Sequence, residues 1–243
     1  QSAVLRLIQQ AGRAAAAGQR GRIVAKMNAL TDEALIRALI DAGQKGAQID
    51  LIVRGACMLP PGVPGQSERI RVRSVVGRFL EHTRVLYFRW GESERDEALY
   101  LSSADWMTRN MLRRIEIAWP VRDPALRQRV IDECLVPYLH DGRDAWVLES
   151  DGRYRRAGED GLSAQQALVE QDKTKLESKA KDTIEANKRF IVGHQLPESE
   201  FCWHGKLADT AGSSDESEFL LPKGVQRFHF VGGARFVHGG AML

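Results

Sequence analysis

The chain has 243 residues, a net charge of +3 at pH 7, 43% hydrophobic and 28% charged residues, the balance of a soluble globular protein with a real core. No apolar run approaches the roughly 20 residues needed to span a bilayer, and Arg6 and Arg13 interrupt the alanine-rich start, which speaks against a signal peptide. Cys57, Cys134 and Cys202 form no C-x-x-C pair, so separate reduced thiols of a cytoplasmic protein are expected rather than a zinc ribbon or redox dithiol.

In chain order, Val4, Leu7, Ile8 and Ala11 recur at helical spacing over residues 3–17, and Gly18 is the expected stop. A short strand is predicted over Arg22–Lys26. Thr31 follows as N-cap, with Asp32 and Glu33 in the first turn of a helix striped by Leu35, Ile36, Leu39 and Ile40. Ile49–Val53 is a compact β-branched run, and the β-α-β order favours parallel strands under helices. Pro60, Pro61, Gly62, Pro64 and Gly65 make the next segment a loop. Strands are predicted at residues 70–76, 84–88, 98–102 and 114–118, then one helix from Asp123 to Leu139 with Pro124 at its first position. A strand pair (145–148 and 153–156) and a helix from Ser163 follow.

Near Gln171 the composition changes. Residues 173–189 are highly charged and helical in propensity, 213–218 are acidic, and the end is rich in Gly, Phe and His. A first domain over 1–171 and an unassigned tail over 172–243 are expected.

Three segments carry candidate chemistry. Arg54 closes the hydrophobic strand 51–53, and ligands of parallel α/β sheets bind beyond the carboxyl ends of strands. There its planar guanidinium can fork onto phosphate oxygens, although a surface arginine pairing a nearby acid is the commoner role. His82 directly precedes the strand at 84–88, between Arg78 and Arg84. A lone histidine is more often structural, but two flanking cations make electrostatic sense when an anion occupies the site. Arg69, Arg71 and Arg73 alternate along the preceding strand and read as a shared, solvated edge. In the third segment Ser102 and Ser103 are followed by Asp105 and Arg109, either a phosphate-positioning turn or an ordinary turn capped by Asp105.

His82-Thr83-Arg84, followed some twenty residues later by Ser102-Ser103-Ala104-Asp105, resembles the H-x-K and Ser-x-Asn motif pair of the phospholipase-D-like fold, with arginine for lysine and aspartate for asparagine. Together with Lys26-Met-Asn28, Leu51-Ile-Val-Arg54-Gly55, Ser74-Val-Val-Gly-Arg78-Phe-Leu-Glu-His82 and Ser102 through Asn110, this variant resembles type-1 polyphosphate kinase from about Ser2 to Glu170, and Ser163-Ala-Gln-Gln-Ala-Leu resembles that family's ending.

The resemblance implies a phospholipase-D-like α/β half-domain, a mixed sheet covered by helices. It also implies a share in the reversible, magnesium-dependent transfer of the terminal phosphate of ATP to polyphosphate. His82 would be the histidine of the second of two such halves, and Arg54 the arginine on nucleotide phosphates, with Asn28, Arg84, Ser103 and Arg109 around them. The family's phosphorylated histidine lies in the first half, and His82 is the first histidine here. The unit is therefore expected to bind ATP, ADP and polyphosphate and to need the other kinase domains, or a second copy, for turnover; magnesium ligands are expected elsewhere. A homodimeric phosphodiesterase or nuclease, and a non-catalytic polyphosphate-binding module, are the alternatives; no specific nucleic-acid partner is expected. His204-Gly-Lys206 in the tail mimics H-x-K without an acid at the required spacing, and His229 and His238 show no regular ligand spacing.

Overall fold

A computed structural model describes residues 1–158 and 160–193, with side chains up to residue 182, and the backbone of 235–237 and 240–242. Two compact units result, Gln1–Val169 and Glu170–Leu243.

The first unit is a three-layer sandwich. It opens with helix α1 (Ser2–Ala16), strand β1 (Arg22–Met27), helix α2 (Glu33–Gln44), strand β2 (Gln48–Val53) and strand β3 (Ile70–Val75). Strands β4 (Val85–Arg89) and β5 (Glu97–Ser102), helix α3 (Thr108–Arg113) and strand β6 (Ala118–Pro120) follow. Helices α4 (Pro124–Cys134) and α5 (Val136–His140), strands β7 (Ala145–Leu148) and β8 (Tyr154–Arg156) and helix α6 (Ala164–Gly193) complete the series. The sheet runs β6-β5-β4-β1-β2-β3-β7-β8. β1, β2 and β3 are parallel neighbours and every other pairing is antiparallel. In the second unit β9 (Arg235–Val237) pairs antiparallel with β10 (Gly240–Met242).

Strand alternation sorts two cores. Ile23, Ala25 and Met27 point with Ile49, Leu51 and Val53 towards Ile8, Leu35 and Leu39 of α1 and α2. Val24 and Ile52 point the other way, towards Leu135, Tyr138 and Ala164 of the α4–α6 layer. Burial of both faces explains why β1 and β2 are almost wholly apolar. Lys26 and Asp50, both on the second face, are the buried exceptions, 6% and 5% exposed.

Departures from the predicted elements have identifiable causes. Thr31 and Asp32 both donate their backbone N–H groups to the Trp106 carbonyl, and the Asp32 carboxylate, not Thr31, accepts from Leu35 N–H and caps α2. The helix predicted from Asp123 to Leu139 divides at Leu135 (φ −121°, ψ −55°), because Pro137 offers no N–H to the turn before it and its ring would clash with the carbonyl four residues back. No strand occupies 114–117: α3, missed in the sequence, extends to Arg113, and the strand is the short edge Ala118–Pro120. Nor is the arginine-bearing strand an edge. β3 lies between β2 and β7, where Arg71 pairs with Asp50 and Arg73 donates to the carbonyls of Tyr138 and Asp141. α6 runs without a break through Gln171, where the composition changes.

Candidate functional site

Strand directions decide which loops meet. β1, β2 and β3 run together, β4 runs against β1, and β5 against β4. The carboxyl ends of β1, β2, β3 and β5 and the amino end of β4 therefore share one edge of the sheet. Asn28, Arg54, His82, Arg84, Ser103 and Asp105 all lie at that edge.

Backbone hydrogen bonds stitch three of these loops together. Leu30 N–H donates to Ala56 O, Met58 N–H to Leu30 O and Trp106 N–H to Ala29 O, at 2.9–3.0 Å. Trp106, fully buried, nails the junction into the first core.

Within this frame Asp105 is the organiser. Its carboxylate accepts the Asn28 backbone N–H at 2.7 Å and both forks of the Arg84 guanidinium at 3.0 Å. Burial would raise its pKa, but the Arg84 and backbone hydrogen bonds outweigh burial and hold it below the usual carboxylate range. Arg84 also donates to the His82 carbonyl at 2.9 Å. The motif arginine expected on phosphate is thus committed to Asp105 and to the histidine loop, a bracing role.

Ser103 is committed as well. Its hydroxyl donates to Glu116 and accepts the Ile117 N–H at 3.0 Å, tying down the approach to β6. Arg109 sits exposed on α3 and is not among the residues lining the recess described next.

Arg54 differs. Its backbone is fixed by the Met27 carbonyl and the Ser74 hydroxyl, while its guanidinium has no ion-pair or hydrogen-bond partner among the described residues. It opens onto a small recess lined also by Lys26, Asn28, Glu81, Thr83 and Tyr138. Asn28 Nδ2 in the same recess is buried with no hydrogen-bond partner. The loop bearing His82 forms the recess wall through Glu81 and Thr83, and His82 itself is exposed. Arg54 and the His82 loop are on one edge, not on opposite faces.

Sequence reasoning missed the polar cluster beneath the recess. Lys26 Nζ meets Glu81 Oε2 at 2.5 Å and lies 3.2 Å from the centre of the Tyr138 ring. Burial lowers the Lys26 pKa, partly offset by Glu81. Burial acts to raise that of Glu81, but hydrogen bonds from Lys26, Tyr138 and Gln165 bring it below normal. A lysine inside an apolar strand was the available signal, since a buried ammonium requires a partner. Cys57 and Cys134 are free, half-buried thiols whose pKa values burial raises. Among the described residues no group of three or more His, Cys, Asp or Glu could hold a metal ion. Cys202, His204, Lys206, His229 and His238 lie outside the described residues.

The model of the polyphosphate kinase C-terminal domain 2 family matches residues 1–168. The chain belongs to that family. Polyphosphate kinases of Burkholderia vietnamiensis and Paraburkholderia phytofirmans are 55% and 53% identical over 157 residues, which is 64% of this chain and 22% of each relative. The chain thus spans about a fifth of the length of the curated relatives it matches. The crystal structure of the polyphosphate kinase from Porphyromonas gingivalis superposes with a TM-score of 0.67 at 39% identity, covering 73% of this chain and 27% of that one. The fold is an α/β half-domain, a mixed sheet between helical layers, shared with that polyphosphate kinase. A second model, the BREX system PglZ alkaline phosphatase-like domain, matches residues 161–243, a span that includes the tail 172–243 the sequence left unassigned. No helix among the described residues is long and apolar enough to cross a membrane.

Proposed function

We propose that the first unit is the phosphate-binding half of a polyphosphate kinase site, holding ATP or ADP and polyphosphate during reversible transfer of the terminal phosphate of ATP. The observation that carries this reading is the pair of unsatisfied donors in the recess. Among the described residues Arg54 has no counter-ion, and Asn28 Nδ2 is buried without an acceptor. Phosphate oxygens satisfy both, and bidentate arginine–phosphate contacts are strong and directional.

The division of labour follows from which cations are already neutralised. Arg84 and Lys26 are paired with Asp105 and Glu81, so they shape the site, whereas Arg54 and the exposed His82 remain for the ligand. His82, exposed on the loop that walls the recess, would exchange a proton with a phosphoryl oxygen in this reading. Phosphoryl transfer through a covalent intermediate also needs an activated nucleophile in line with the γ-phosphate and charge stabilisation from the facing wall. The other kinase domains, or a second copy of the chain, would supply that wall. Magnesium would accompany the nucleotide; the described residues offer it no donor cluster, and no step here runs through it.

Titration of the chain with ATP and with long-chain polyphosphate tests the reading. Arg54→Ala should weaken binding by about 1.5–3 kcal/mol, the scale of a charge-assisted hydrogen bond. Undiminished binding in Arg54→Ala would remove this reading of the recess.

A further inference from the structure

The segment between β3 and β4 that carries His82 is poorly anchored by its own means. Residues 77–83 make no backbone–backbone hydrogen bond among the described residues, and Phe79 and Leu80 are 50% and 77% exposed. A loop with neither ladder bonds nor apolar anchors ordinarily opens easily.

One side chain from outside compensates. Gln165, in the first turn of α6 and 6% exposed, accepts the Phe79 N–H at 2.9 Å and donates to the Phe79 carbonyl at 2.8 Å. Its amide behaves as a single peptide unit of a neighbouring strand. The same Nε2 donates to Glu81 Oε1 at 2.6 Å, while Lys26 holds Oε2. Gly77 makes room for this: a Cβ there would overlap the Gln165 amide. The turn bearing Gln165 is itself fixed, because Ala164 N–H donates to Asp141 Oδ2 at 2.7 Å and the Ser163 hydroxyl to Asp144 at 2.6 Å.

We infer that Gln165 is a positioning residue, which with Lys26 and Glu81 clamps the His82-bearing loop as a wall of the recess. The inference rests on the recess being the phosphate site; the clamp itself is a matter of the loop alone. Gln165 is not among the residues lining the recess, so it acts through the loop that carries Glu81 and His82.

The full chain carrying Gln165→Met, which keeps length and apolar bulk but removes the hydrogen bonds, tests this. Amide hydrogen exchange at Phe79, the amide of this loop that Gln165 accepts, should accelerate by about tenfold or more, with protection of β1 and β2 unchanged. Gly77→Ala, which displaces the amide from the other side, should do the same. Long-chain polyphosphate should bind Gln165→Met more weakly than wild type, and the double variant with His82→Ala should bind no worse than His82→Ala alone. Unchanged exchange in the loop, acceleration spread evenly over the sheet, or additive losses in the double variant would each overturn the clamp. Failure of the wild-type chain to bind polyphosphate would sink the functional reading instead, and the exchange data would still decide the clamp.

Discussion

Asp105→Asn restores the residue type expected at this position of the phospholipase-D-like motif, and the structure argues that it should be destabilising here. The carboxylate accepts Asn28 N–H and Arg84 Nε through Oδ1, and Arg84 Nη2 through Oδ2. An amide of the same shape can keep the Oδ1 contacts, but its NH2 then faces Nη2, donor against donor, and the guanidinium loses its counter-charge. The side chains of Arg84 and Asp105 are 19% and 12% exposed, so solvent compensates only partly. The loss of one charge-assisted bond and its ion pair is worth about 2–3 kcal/mol, or about 5–10 °C in Tm for a domain of this size. The pH dependence has a definite sign. A carboxyl whose folded pKa is depressed adds stability above its unfolded value, and that stability is lost as pH falls through the folded value. The gap between wild type and Asp105→Asn should therefore be full at pH 7 and narrow below about pH 4. Glu81 titrates in both proteins and cancels in the difference. Urea unfolding followed by tryptophan fluorescence at pH 7, 5 and 3 measures the gap. A difference under about 0.5 kcal/mol at pH 7, or one that persists undiminished at pH 3, refutes the assignment of Asp105 as the ion-paired organiser of the site.

Two further outcomes are expected. Incubated alone with γ-labelled ATP and magnesium, the chain should form no polyphosphate and no acid-labile phosphohistidine, because it presents one wall of the in-line arrangement; robust labelling abolished by His82→Ala would make His82 the nucleophile. Truncation after Gln171, which retains the Gln165 clamp, should shift the thermal midpoint of the first unit by no more than about 2 °C; a larger fall would mean that residues beyond Gln171 complete its core.

Much of the fold was legible because burial writes itself into residue type. Ile23–Met27 and Ile49–Val53 lie between two helical layers and read as near-continuous apolar runs, and Asp123 and Pro124 announce the start of α4 by their chemistry. What was illegible depended on pairings between residues distant in sequence. The division at Leu135 could have been inferred from Pro137, since a proline removes an N–H from the turn before it and crowds that turn's carbonyl. The position of β3 inside the sheet could not, because nothing local to Arg69–Arg73 states that β7 will pair on its far side.

The site divides along the same line. The shared sheet edge of Arg54 and the His82 loop was legible because strand-end position is a local property of the chain, and the parallel β1–β2 pairing then fixes which strand ends meet. Arg84 and Ser103 sit in the same motifs, and sequence cannot tell them apart from Arg54, because the difference is which partner each has found: Asp105 for one, Glu116 for the other, and none among the described residues for Arg54. In a phosphate site that distinction is functional. A cation already neutralised gains little from an incoming anion, while an unpaired one at the mouth of a recess gains the full charge-assisted bond. Lys26 illustrates the converse. It is a cation facing the recess, yet Glu81 and the Tyr138 ring occupy it, and its work is to hold the loop on which His82 stands.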